Sequence, residues 1–141
     1  MKTNNALTMK SDLTEVKVIA SHFNKFCELN HIDEAISIRV ELALVEASNN
    51  IVIHAYDNSN LYSINVNFEI LQSDLCITLI DSGKEFIKKD TVQNTIENQS
   101  IEELAEGNWG IGIIESIGDE VIRYRENNQN ILKIIKRDIN H

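Results

Sequence analysis

Residues 45–56 read VEASNNIVIHAY, and the way this run is read decides the fold. Val45, Ala47, Ile51, Val52, Ile53 and Ala55 suit a helix packed on a core, yet Glu46, Asn49, Asn50 and His54 stand among them. At about 100° per residue, with Ala43 as reference, Ala47 and Val40 fall about 40° and 60° to one side. Asn50 and Glu46 fall about 20° and 60° to the other, and His54 lies about 20° from the reference. The polar groups therefore sit on the apolar stripe and its flank. Glu46, Asn50 and His54 are four apart and stack along one side of the helix. Burying a carboxylate without a partner is costly, so this helix is expected to border a cleft that holds a cation or a reacting group. The alternative is that Glu46 and Asn50 bond backbone at the core edge. For His54, packing or capping explains the residue at least as well as chemistry. Asn49 is expected to face solvent.

Working outward, Asp33 caps this helix, which carries Ile36, Val40, Ala43, Ala47 and Ile51 and ends near Tyr56, with DNSN as its stop. Upstream, a short strand from Ala6 to Lys10 precedes a capping box of Asp12 and Glu15. Val16, Ile19, Phe23 and Phe26 then predict a first helix to about Leu29. Downstream the period changes. In LYSINVNFEI, Ile64, Val66, Phe68 and Ile70 alternate with Ser63, Asn65, Asn67 and Glu69, the pattern of a strand with one face on a core. QSD turns the chain into LCITLID, an antiparallel return strand ending at Asp81. Residues 87–106 are polar and weakly patterned, apart from a capping box of Ser100 and Glu103 before IEELAE, and a loop of that length is usually functional. A third helix starts near Gly110 and runs through Ile113, Ile114 and Ile117; VIRYR and ILKIIKR, separated by ENNQN, form a final hairpin. The sum is an α+β fold: a two-layer sandwich whose mostly antiparallel, mixed sheet of four or five strands has its helices on one face.

The 141 residues are expected to form one domain, 1–141, and 43% hydrophobic with 25% charged residues is a globular composition. Thirteen basic against 22 acidic residues leave a net charge of −9. That argues against direct nucleic-acid binding and against an anionic membrane surface, both of which rest on Lys/Arg patches. An anionic small ligand remains compatible, because a divalent cation or a helix N-terminus offsets phosphate charge locally. No apolar h-region opens the chain and no apolar run approaches the roughly 20 residues of a membrane span, so a cytoplasmic location is expected. Cys27 and Cys76 lack C-x-x-C spacing and read as two reduced structural thiols. With no proline, turns fall to Gly, Asn, Asp and Ser.

Two further stretches carry chemistry. In DSGKEF, Asp81 stands at a strand's end, where a carboxylate can leave the sheet, and Gly83 permits close backbone approach. In EGNWGIGIIESIGDEV, Gly107, Gly110 and Gly112 lead into a helix, where glycine-rich backbone either presents free N–H groups to an anion or serves as a flexible hinge. Neither a Walker A loop nor a dinucleotide fingerprint is present. Trp109 reads as a packing residue.

The order and spacing of these three elements resemble the GHKL (Bergerat) ATP-binding fold, shared by histidine-kinase catalytic domains, gyrase and certain chaperones. Within it, LALVEASNNIVIHAY looks like the N-box of the anti-sigma-factor serine kinases, E-A-x-x-N-A-x-x-H-A-Y, and GIGIIESIGDEV is similar to their closing phosphate box and helix. SDLTEV sits where that family starts its first helix, so the likeness covers nearly the whole chain. The resemblance implies that Asn50 ligates Mg²⁺ on ATP, and that Glu46 is the general base. It implies that Asp81 accepts from the adenine amine with Gly83 admitting the ring, that Gly107, Gly110 and Gly112 wrap the phosphates, and that residues 87–106 are the ATP lid. The D-x-G-x-G of the wider superfamily is shortened here to Asp81-Ser82-Gly83-Lys84-Glu85, and a Thr frequent near the adenine is replaced by Asn130. A phosphate clamp from the lid region would rest on Lys84, Lys88 and Lys89. The implied activity is phosphorylation of a STAS-type anti-anti-sigma protein, coupled to sequestration of a sigma factor by a homodimer. The alternatives are a nucleotide-binding module that sequesters a partner without phosphorylating it and, less in keeping with the H-A-Y ending, a stand-alone histidine-kinase catalytic domain.

Overall fold

The computed structural model describes residues 2–85 and 111–139. The expected lid (87–106), Gly107, Gly110, Trp109, Lys88, Lys89 and the Ser100 capping box lie outside the described residues. The elements run β1 (Lys2–Lys10), α1 (Leu13–Leu29), α2 (Glu34–Asn50), a π-helical turn (Ile51–Ala55), β2 (Ser63–Leu71), β3 (Asp74–Asp81), α3 (Ile111–Ile117), β4 (Glu120–Glu126) and β5 (Gln129–Lys136). The five strands form one sheet in the order β1-β2-β3-β5-β4, and all four neighbouring pairs are antiparallel. This is the limiting case of the mostly antiparallel sheet expected. β4 lies outside β5, at the edge.

The alternation read in β2 holds: Ile64, Val66 and Phe68 are buried, as are Leu75, Ile77 and Leu79 on β3, while the intervening residues are not. α1 and α2 cover this apolar face. Phe23 and Phe26 of α1 meet the Phe68 ring at centroid distances of 5.1 and 5.6 Å, contacts that add about 0.5–1.5 kcal/mol each beyond area burial. Val40, Ala43, Leu44 and Ala47 carry the buried face of α2. Cys27 lies within this core; burial, then the nearby Glu41 carboxylate, pushes its thiol up to about 12, so it stays protonated at neutral pH. Cys76 is also a free thiol.

Helix starts differ in detail from the expected boxes. Asp12 caps α1 by accepting from the Thr14 N–H, not from that of Glu15. Asp33 precedes α2 without a side-chain cap bond. Without proline, the tight turns use left-handed backbone at Asp57 and Asn58, at Gln72, and at Asn127 and Asn128. The last pair closes β4 onto β5 as a two-residue hairpin, a role asparagine fills readily. The final strands are therefore longer, and their turn shorter, than ENNQN suggests.

α2 does not continue as α-helix to Tyr56. Its end widens into the π-helical turn, where the Tyr56 N–H reaches back to Ile51 O at 2.9 Å. Such turns recur at functional sites. The extra residue in the turn also breaks the 100° wheel, so the position expected for His54 does not hold beyond Asn50.

Candidate functional site

The site begins with one row across three strands. Asp81 on β3 pairs with Asn130 on β5, and Asn130 pairs with Arg125 on β4. Period two puts all three on the face that carries Leu79 and Ile134. The Asn130 amide donates to Asp81 Oδ1 at 2.8 Å and to Lys84 O at 2.7 Å. Its Oδ1 accepts from Arg125 Nη1 at 2.8 Å, and the same nitrogen reaches Gly83 O at 3.2 Å. Asp81 is only 5% exposed. Burial pushes its carboxyl above the usual range, while the bonds from Asn130 and the Gly83 N–H, together with Arg125, pull the other way.

The turn after Asp81 is fastened to the π-helical turn. Asp81 Oδ1 accepts from the Gly83 N–H at 2.9 Å, an Asx-turn. The Lys84 N–H donates to Ala55 O at 2.9 Å. The Ser82 N–H donates to the Tyr56 hydroxyl at 2.7 Å, and that hydroxyl donates to Ser63 O at 2.8 Å. A side chain at position 83 would put its Cβ 2.5 Å from Ala55 O and 2.7 Å from Ala55 C. Backbone lies on both sides of that contact, so only glycine fits. The close approach that Gly83 permits is thus first of all to Ala55. Desolvation is the leading cause that raises the Tyr56 phenol.

A cavity of about 220 Å³ opens beside this turn. Ala47, Asn50, Ile51 and Ala55 form one wall, Asp81 and Asn130 the floor, and Arg123, Tyr124 and Arg125 another wall, with Ile114 of α3 facing in. Asn50, Asp81 and Asn130 are therefore brought together at one cavity. Gly112 lies in the first turn of α3, near Ile114. Glu46 does not line this cavity. It sits half-buried one turn before Asn50 on α2, and among the described residues it has no hydrogen-bond or ion-pair partner. His54 is also half-buried and away from the cavity, its imidazole pulled down by burial against the opposing charge of Asp57. Asn49 is half-buried instead of solvent-facing, because both flanks of the α2 stripe are partly covered. Lys84 pairs with Asp57 at the surface, at 2.8 Å.

Three site residues were missed by sequence reasoning. In the sequence Tyr56 stands as the end of a motif, although in the fold its hydroxyl holds the turn that carries Asp81. In the sequence Arg123 and Arg125 stand only as part of a strand; alternation from Val121 is the available signal, since it sets both arginines on the inner face of β4. Arg123 also pairs with Glu115 of α3.

A sequence profile of the family described as the histidine kinase-like ATPase domain matches residues 9–136. The serine-protein kinase RsbW of Staphylococcus aureus (strain MSSA476) is 38% identical over 105 residues, which cover 70% of this chain and 65% of that protein. RsbW of strain JH9 is 37% identical over the same span. The chain thus spans 65% of the length of the curated relatives it matches. Among solved structures, the SiaB–SiaC complex from Pseudomonas aeruginosa aligns over 94% of this chain and 88% of that one, with a TM-score of 0.68 at 10% identity. The RsbU and RsbW domains of Rv1364c from Mycobacterium tuberculosis align over 96% of this chain and 32% of that one, with a TM-score of 0.65 at 14% identity. At such identities the structural matches speak for the fold alone.

Proposed function

The chain belongs to the family of histidine kinase-like ATPase domains, and from that premise we propose that it is an ATP-dependent protein serine kinase and anti-sigma factor. It acts as one domain over residues 1–141, in the cytoplasm, as a homodimer. Its protein substrate is a STAS-type anti-anti-sigma protein, and its sequestered partner a sigma factor. Among the described residues no helix is long and apolar enough to cross a membrane. The observation that carries the reading is the meeting of Asn50, Asp81 and Asn130 at one cavity, the positions that the resemblance to anti-sigma-factor serine kinases assigns to nucleotide.

The cavity suits part of a nucleotide. At about 220 Å³ it falls below the roughly 300–1,000 Å³ of whole ligand pockets, so base and sugar fit and the phosphates extend out of it. Asp81, with both of its hydrogen bonds on Oδ1, keeps Oδ2 for the exocyclic amine of the base. Mg²⁺ takes one or two protein oxygens and fills its remaining positions with phosphate and water. A lone amide such as Asn50 suits that need, and among the described residues no cluster of three or more His, Cys, Asp or Glu offers a dedicated cage. When bound, the ion neutralises phosphate charge. Gly107, Gly110 and Gly112 give the backbone that follows the phosphates.

Glu46 takes the proton of the attacking serine hydroxyl. The serine oxygen bonds to the γ-phosphorus, the bond from that phosphorus to the β–γ bridging oxygen breaks, and ADP leaves. Positioning and charge neutralisation provide most of the rate in such transfers, so few residues are needed. A carboxylate with no partner among the described residues is available for this step without first breaking a bond.

That Glu46 stands outside the cavity favours one second reading, a module that binds nucleotide and sequesters its partner without phosphorylating it. Incubation with γ-labelled Mg·ATP and STAS-domain proteins separates the two. Label on a partner serine with wild type, lost in Glu46→Ala while ATP affinity stays within about twofold, is the expected result; tight ATP binding by wild type with no labelled partner overturns the kinase.

A further inference from the structure

Asn130 has an amide at the centre of the base end, and its orientation matters. Turned one way it donates toward Asp81; turned the other it presents an oxygen to a carboxylate. The neighbours permit a single answer. A carboxylate oxygen and the Lys84 carbonyl can only accept, and a guanidinium can only donate. Arg125 Nη1, 2.8 Å from Asn130 Oδ1, fixes the oxygen on its own side, which aims both amide protons at Asp81 Oδ1 and Lys84 O. The same guanidinium bonds Gly83 O at 3.2 Å and Asn128 O at 3.4 Å. It thus ties the hairpin turn and the turn after Asp81 to one planar fork, a geometry lysine cannot reproduce.

We propose that Arg125 is a specificity-determining positioning residue, which locks the Asn130 amide so that Asp81 presents a single free acceptor to a 6-amino purine. This deepens the nucleotide reading above and rests on it. With Oδ1 occupied by two donors, Oδ2 meets the base. A 6-amino group donates to it, whereas a purine with hydrogen at C6 leaves it without a partner. Without Arg125 the Asn130 oxygen loses its guanidinium donor and the ties to Gly83 O and Asn128 O are gone, so the amide and the Asp81 carboxylate it bonds lose their fixed direction. Selectivity for the amine then falls more than affinity for the phosphates.

The test is the ratio of dissociation constants for purine riboside triphosphate and ATP, measured on wild type, Arg125→Met and Arg125→Lys, with thermal melts of all three. Wild type is expected to prefer ATP. Both variants should lower that preference by about five- to tenfold, with Arg125→Lys failing to restore it although it keeps the charge. An unchanged ratio in Arg125→Met, with both nucleotides weakened equally, overturns the proposal and makes the arginine a general phosphate or folding contact. Recovery of the full ratio in Arg125→Lys overturns it as well, because charge alone would then suffice. If wild type itself binds neither nucleotide, the nucleotide reading fails and takes this one with it.

Discussion

The two ends of the site are built differently. At the base end, Asp81, Gly83, Asn130, Arg125 and Tyr56 form a connected set of hydrogen bonds between two turns and three strands. One turn before Asn50, Glu46 stands without a hydrogen-bond or ion-pair partner among the described residues. The contrast separates two tasks. A recognition surface gains from being preorganised, because ordering it on binding would cost affinity. A general base gains from being free to accept a proton. On the proposed reading, a fixed base end and a Glu46 unbonded among the described residues would let a single domain hold its nucleotide in place and still act on a protein that arrives later.

The sharpest way to break that contrast is Asp81→Asn. It removes the acceptor while keeping the shape, and ATP affinity should fall roughly 10- to 150-fold, the range for a hydrogen bond to a charged group. Thermal stability should change little, because burial already works against the charged form. Equal losses of affinity and stability in calorimetry would mean that Asp81 serves the fold instead of the base.

Tyr56→Phe tests whether the turn matters as a unit. The variant leaves the Ser82 N–H and the Ser63 carbonyl without their partner, so stability should fall by about 1–3 kcal/mol and ATP affinity by a few-fold. A chemical-denaturation curve identical to wild type would remove Tyr56 from the account.

The smallest expected effect is a pH dependence with two opposite signs. The folded-state pKa of Asp81 lies above its unfolded value. Its contribution to folding is therefore fully present below the unfolded pKa and lost as pH rises through the folded one. Binding of a base amine needs the ionised form, so ATP affinity should drop on acidification at a higher pH than an ordinary aspartate would give. Asp81→Asn should abolish both trends. Affinity and stability that fall together on acidification, equally in wild type and variant, would assign the titration elsewhere.

Much of this arrangement is legible in the sequence where the signal is local. E-x-x-x-N on one helix face, the alternation of β2 and the strand-end position of D-x-G each depend on neighbours a few residues away. Asn130 opposite Asp81 was reachable too, from the resemblance and hairpin spacing. What escaped depends on contacts distant in sequence. Gly83 is required because Ala55 backbone lies against it, and no pattern within DSGKEF reports that. Tyr56 matters through Ser82 and Ser63. The 100° wheel does not reach His54 because a π-helical turn, which periodicity does not announce, shifts everything after Asn50. Arg125 stands in the sequence only as part of the VIRYR strand, and it is the register that sets it beside Asn130.

The central claim is that the cavity beside Asp81 receives an adenine base. Titration with adenosine alone, which has the base and sugar but no phosphate, tests it when followed by NMR at the Gly83 backbone amide and the Asn130 side-chain amide. Both signals should move in a saturable way with adenosine, and in Asp81→Asn that response should vanish. Signals unmoved by adenosine at concentrations that saturate the protein would put the base somewhere else and contradict the account.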